Sequence, residues 1–144
     1  MWIFKWFFKE KGVVEILKED HKKIVDLYLK ISKFIERGQT DKLPKLLKEF
    51  YYLYSKHILY EDNYFFSRLN TIYKDDKDKK TFINSKREEM DEITKFIEKF
   101  MSRFKTVEEI SSNFDSFKKE FQIIGEVLSS RVAFEESDLY PLYK

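Results

Sequence analysis

The stretch "LLKEFYYLYSKHILYEDNYFFSRL", residues 46–69, decides the fold. Leu47, Phe50, Tyr54, His57, Glu61, Phe65 and Leu69 recur at steps of three and four, the spacing of one face of an amphipathic helix. Two members of that stripe, His57 and Glu61, are ionisable and lie one helical turn apart, where a core would place leucine. The chain has only two histidines. The other, His21, sits on a stripe of the same kind.

Outward from this stretch the pattern repeats. Upstream, residues 13–37 carry Leu17, His21, Ile24, Tyr28, Ile31 and Ile35, and Gly38 ends the helix. Asp41 is the expected N-cap of the helix quoted above, with Pro44 in its first turn. Downstream, the charged, aperiodic residues 70–80 read as the longest loop. A third stripe follows at Ile83, Met90, Ile93, Ile97, Phe100 and Phe104. Thr106 and Glu109 have the spacing of a capping box that opens a fourth helix. That helix is expected to run unbroken through Ile110, Phe114, Phe117, Phe121, Ile124, Leu128, Arg131, Glu135 and Leu139, with Pro141 just beyond. Four such stripes with short connections predict an all-α, up-down-up-down antiparallel four-helix bundle. The expected division is an aromatic N-terminal arm over 1–12 and the bundle over 13–144.

Composition narrows the functional classes. A chain of 144 residues is one ordinary domain. Its 28 Lys and Arg nearly balance 26 Asp and Glu, and the charges are interleaved, which describes solvated helix faces and argues against a nucleic-acid partner. There is no cysteine, so a metal site would have to use imidazole, carboxylate and water. No apolar run approaches the roughly 20 residues of a membrane span, and the opening residues lack a secretory cleavage pattern, so a cytoplasmic protein with no membrane partner is expected. No nucleophile constellation, phosphate-cradling loop or nucleotide motif appears, which leaves an enzyme without positive support.

Five ionisable residues, His21, His57, Glu61, Arg131 and Glu135, fall on core-facing stripes, and a buried charge without a partner costs several kcal/mol. They must satisfy one another or hold an ion. Imidazoles and carboxylates projecting inward from facing helices suit a borderline transition metal. A weak internal duplication aligns "EDHKKI" (19–24) with "EEMDEI" (88–93), and "HILYEDNYFF" (57–66) with "RVAFEESDLY" (131–140). His21 is thereby opposite Met90, His57 opposite Arg131, and Glu61 opposite Glu135.

The segments "EDH" (19–21), "HILYED" (57–62) and "FEESDLYP" (134–141) resemble the hemerythrin-like, HHE cation-binding domains, over nearly the whole chain after residue 13. The resemblance implies a metal centre in mid-bundle. In that family two irons are held by histidines and joined by two carboxylates, and members bind oxygen or handle iron, nitric oxide or oxidative stress. By that likeness His21 and His57 are ligands of one iron, Glu61 and Glu135 the bridging carboxylates, and Glu136 the alternative to Glu135. Met90 and Arg131 stand where the family has histidine for the other iron. Methionine is a poor ligand in an oxygen-rich site, and a guanidinium cannot ligate.

Two readings stay open. In one, His21, His57, Glu61 and Glu135 hold a single ion, iron rather than a di-iron centre, open to a small diatomic ligand such as oxygen or nitric oxide. In the other, Arg131 replaces the cation and ties Glu61 to Glu135, and the bundle is a metal-free structural or interaction module. Tyr51, Tyr52, Tyr54, Tyr60 and Tyr64 read mostly as packing. The opening "MWIFKWFF" is too apolar for a solvated terminus and is expected to cover its own bundle, or next to form a homo-oligomer interface; a membrane-surface anchor, with Lys5, Lys9 and Lys11 beside it, ranks third because the segment is short.

Overall fold

The computed structural model describes residues 11–144, and the expectation for the aromatic arm therefore falls, over residues 1–10, outside the described residues. The described residues are helical, without strands. Helix α1 spans Val13–Glu36 and α2 Leu43–Tyr60. The latter continues through a wider, π-helical turn, Glu61–Phe66, into α3, Ser67–Ile72. Then come α4, Lys77–Arg103, α5, Val107–Ser112, and α6, Phe114–Phe134. A second π-helical turn, Glu135–Leu139, and a 3-10 turn, Tyr140–Leu142, complete the chain. Helix α1 packs on α2 and α6, and α4 packs on α6, a helical bundle whose facing stripes bury one another.

The local chemistry explains most boundaries. After α1, Gly38 takes φ 66°, the left-handed geometry in which a side chain is strained, and its N–H reaches the Ile35 carbonyl at 3.0 Å. Thr106 accepts from the Glu109 N–H at 3.1 Å, as the capping spacing predicts, while its hydroxyl donates to the Glu109 carboxylate at 3.1 Å.

Three expectations are corrected. Asp41 is not an N-cap: α2 starts after Lys42 without a side-chain cap, and the Leu43 N–H bonds the Thr40 carbonyl instead. Residues 70–80 are not a long loop. The helix persists to Ile72, and Asp76 caps α4 by accepting from the Lys79 N–H at 3.1 Å, so the charged run "KDKK" is an exposed helical first turn. The fourth stripe is interrupted at Asn113, whose φ of −133° and ψ of 47° break the helix into α5 and α6.

Apolar burial falls into two clusters. One contains Ile24, Tyr54, Met90, Ile97 and Ile124, and the other Leu17, Phe65, Ile83, Leu139 and Tyr140. Each rod crosses from one cluster to the other, and the five buried ionisable residues lie at that crossing. His21 falls between Leu17 and Ile24, His57 and Glu61 between Tyr54 and Phe65, and Arg131 and Glu135 between Ile124 and Leu139. Of the tyrosines, Tyr54 is core, Tyr51 and Tyr60 are partly buried, and Tyr52 and Tyr64 are exposed, with the Tyr64 ring 4.7 Å from that of Tyr60.

Candidate metal centre

His21, His57, Glu61 and Glu135 converge. All four are at most 4% exposed, and one donor atom from each lies within 4.8 Å of the others. Their convergence follows from helical spacing. His57 and Glu61 share a face of α2 and its π-helical extension, Arg131 and Glu135 share a face of α6 and its own, and His21 meets both from α1. The two histidine ring centroids are 4.8 Å apart.

Both imidazoles are oriented by outer carboxylates. His21 Nδ1 lies 2.8 Å from Glu136 Oε2, and His57 Nδ1 lies 3.2 Å from Asp20 Oδ2. A carboxylate only accepts, so each Nδ1 carries the hydrogen and each Nε2 is turned inward. His21 Nε2 is 3.0 Å from Glu135 Oε1, and His57 Nε2 is 3.5 Å from Glu61 Oε2. Outer acids that fix the tautomer and aim of an imidazole are the usual support of metal-ligating histidines.

The remaining residues singled out from the sequence occupy distinct places. Glu136 is not among the converging donors; it holds His21 from the outside, with its side chain 38% exposed. Arg131 is buried, and its Nε donates to Glu135 Oε2 at 3.1 Å. No hydrogen bond or ion pair joins it to Glu61, whose partners are instead His57 and Tyr140. Met90 is buried and belongs to the apolar cluster on one side of the site.

Tyr140 and Asp20 were missed. The Tyr140 hydroxyl donates to Glu61 Oε2 at 2.9 Å and also lies 3.1 Å from His21 Nε2 and 3.4 Å from Glu135 Oε1, beside three of the four converging residues. The sequence signal was "LYP": Tyr140 opens the 3-10 turn Tyr140–Leu142, with Pro141 in its first positions. Asp20 stood in the quoted "EDH", but nothing in the sequence assigned it to His57.

The electrostatics follow from these contacts. Burial opposes charge on His57, but hydrogen bonds to Asp20 and Glu61, with the charges of Glu61 and Glu135, raise its pKa to about 9. Burial pushes Glu61 above the usual carboxylate range. The same burial acts on Glu135 but is overcome by the His21 hydrogen bond and the Arg131 charge, and its pKa falls below that range. Burial and the two facing carboxylates hold the Tyr140 phenol protonated.

A metal ion fits this donor set. Four ligands about 2.1 Å from one ion in a tetrahedral arrangement lie about 3.4 Å apart, so donors within 4.8 Å of one another close on an ion by side-chain shifts on the order of an ångström. Two imidazole nitrogens and two carboxylates suit a borderline divalent ion.

The model of the hemerythrin HHE cation binding domain matches residues 12–143. No curated protein and no solved structure matches the chain. With the buried His and Glu cluster at mid-bundle, the match over nearly all of the described residues fixes the family: the chain belongs to the hemerythrin HHE cation-binding domains.

Proposed function

We propose that the protein binds one transition-metal ion, iron, through His21, His57, Glu61 and Glu135, in an up-down-up-down antiparallel bundle formed by residues 13–144. The observation that carries this reading is the aim of the two histidines. Asp20 and Glu136 engage both Nδ1 atoms from outside and leave both Nε2 atoms facing the two inner carboxylates. Outer carboxylates that hold Nδ1 and turn Nε2 toward inner carboxylates are the arrangement in which metal-ligating histidines are supported, and it supports the metal reading here.

The second half of the site supports one ion rather than two. Arg131, permanently charged, stands where a second cation's ligand is required, and Met90 offers no hard donor. A ferrous ion held here supplies a site for a diatomic molecule, and reversible binding or sensing of oxygen or nitric oxide is the function that follows. The chain's own groups orient the imidazoles, neutralise Glu135 through Arg131 and present the Tyr140 hydroxyl beside Glu61.

A second reading is favoured by one observation: the cluster is largely satisfied without metal, through Arg131 on Glu135 and Tyr140 on Glu61. In that reading the bundle is a structural or interaction module. Elemental analysis of protein purified from iron-supplemented cells, with His57→Ala alongside, separates the two. Near-stoichiometric iron in the parent and its loss in the variant are expected, and a parent without iron, or a variant with the same content, refutes metal binding at this site.

A further inference from the structure

An apolar cavity of about 280 Å³ lies between α1 and α6 and reaches the buried polar layer. Val25 and Leu29, 41% and 53% exposed, stand at its mouth, Ile24, Tyr28 and Leu128 form walls, and Arg131 is among the buried residues that line it, bordering the groove of Glu89 and Phe134 as well. The arginine is incompletely used. Its Nε donates to Glu135, but Nη1 and Nη2 are buried with no hydrogen-bond partner among the described residues. The Glu89 carboxylate is 3.8 Å from Nη1, beyond hydrogen-bond reach. A guanidinium is charged at every physiological pH, and leaving two of its donors unpaired in a desolvated place is expensive. Binding of a ligand that supplies the two missing acceptors removes that penalty.

We propose that this cavity binds a medium-chain aliphatic carboxylate, its two oxygens paired with Nη1 and Nη2 of Arg131 and its chain lying along the apolar walls. The free edge of a guanidinium whose Nε is occupied is a planar two-donor fork, which matches the two oxygens of a carboxylate. A phosphate, with more charge and a third oxygen to satisfy, is poorly served by walls of isoleucine, valine and leucine. The volume sets the chain length. At about 30 Å³ per non-hydrogen atom, close to the share of one water molecule in the liquid, the cavity takes roughly nine such atoms, the size of hexanoate to octanoate. Glu135 does not exclude the anion, because its charge is already engaged by Arg131 Nε and His21. The site requires no metal.

Calorimetric titration of octanoate into the full chain, stripped of metal with a chelator, tests this, with acetate and 1-octanol as ligands that keep only the head or only the tail. Octanoate is expected to bind saturably at one site, and each truncated ligand about tenfold or more weaker. Arg131→Met removes the fork at similar volume and is expected to weaken octanoate about tenfold or more, the worth of one charge-assisted pair. Val25→Trp, at an exposed position that should not disturb folding, narrows the mouth and is expected to weaken octanoate while Arg131 stays in place. Absence of saturable octanoate binding, octanol binding as tightly as octanoate, or an unchanged affinity in either variant that keeps the parent's helical circular dichroism overturns the proposal. If Arg131→Met does not fold, Val25→Trp and the ligand series decide. Iron content is read separately, so failure here leaves the metal reading standing.

Discussion

Replacing Tyr140 by phenylalanine isolates one oxygen atom in the middle of the buried polar layer. The ring stays, with its edge-on contact to Phe65 at 5.1 Å and its stacking on His21 at 5.6 Å, so packing is retained. What goes is the donor to Glu61 Oε2 at 2.9 Å. Glu61 is 1% exposed, and without that donor its nearest partner is His57 Nε2 at 3.5 Å, the outer limit of a useful contact. A hydrogen bond to a charged group contributes about 1.5 to 3 kcal/mol, and the stranded acceptor has no water to turn to. Tyr140→Phe should therefore destabilise the metal-free protein by about 2 kcal/mol, a fall in Tm of about 6 °C for a chain of this size.

Tyr73→Phe provides the scale for a neutral contact. Its hydroxyl donates to the Leu142 carbonyl at 2.9 Å, and its loss should cost about 1 kcal/mol. Urea unfolding at pH 7, followed by circular dichroism with and without saturating ferrous ion, measures both. In the metal-loaded protein Glu61 has a cation for a partner, and the penalty of Tyr140→Phe should narrow to below about 1 kcal/mol. A Tyr140→Phe variant no less stable than Tyr73→Phe in the metal-free state refutes the claim that this hydroxyl holds Glu61.

Other predictions follow from neighbouring groups. Folding raises the His57 pKa from 6.5 to about 9, so its charged form contributes about 3 kcal/mol that is fully present below pH 6.5 and lost as pH rises through 9. Metal-free protein should accordingly weaken over that window in urea unfolding at stepped pH, and His57→Gln should flatten the slope. Asp20→Asn and Glu136→Gln each loosen the aim of one imidazole and should lower iron affinity by about 10- to 100-fold in competition with a chelator, with little change in helix content. At Gly125 a Cβ would overlap the Tyr28 hydroxyl, which is fixed by donation to the Phe121 carbonyl at 2.8 Å, so Gly125→Ala should cost about 1 to 3 kcal/mol in thermal unfolding.

Much of the helical architecture was legible because its signal is periodic. Leu17, His21, Ile24, Ile31 and Ile35 are all buried as their three-and-four spacing requires. The converging residues were legible for a related reason: a histidine or glutamate on such a stripe is conspicuous, and the pairing of residues four apart fixes which face it shares. The caps and breaks were less readable. Asp41 has the chemistry of a cap but the backbone does not place it at one, and "KDDKDKK" looks like a loop because a first helical turn facing water needs no apolar periodicity. The break at Asn113 is carried by one residue within an apolar stripe that continues on both sides. Cross-chain partners were the hardest. Asp20 finds His57 on a different helix, and Tyr140 reaches the centre only because the chain tightens into a 3-10 turn after the stripe has ended.

The two wide turns after His57 and Arg131 bear on how this chain can change length. A π-helical turn holds one residue more than the α-helical path between the same flanking segments. Removing one residue from ordinary helix would swing everything beyond it by about 100° about the axis. Removing exposed Asn63 from the turn at Glu61–Phe66 should instead let the coil tighten while Leu69 keeps its bearing toward the interior. Each carboxylate thus stands beside a piece of slack, and insertions or deletions in natural variants of this chain should gather at these two points rather than elsewhere along the rods.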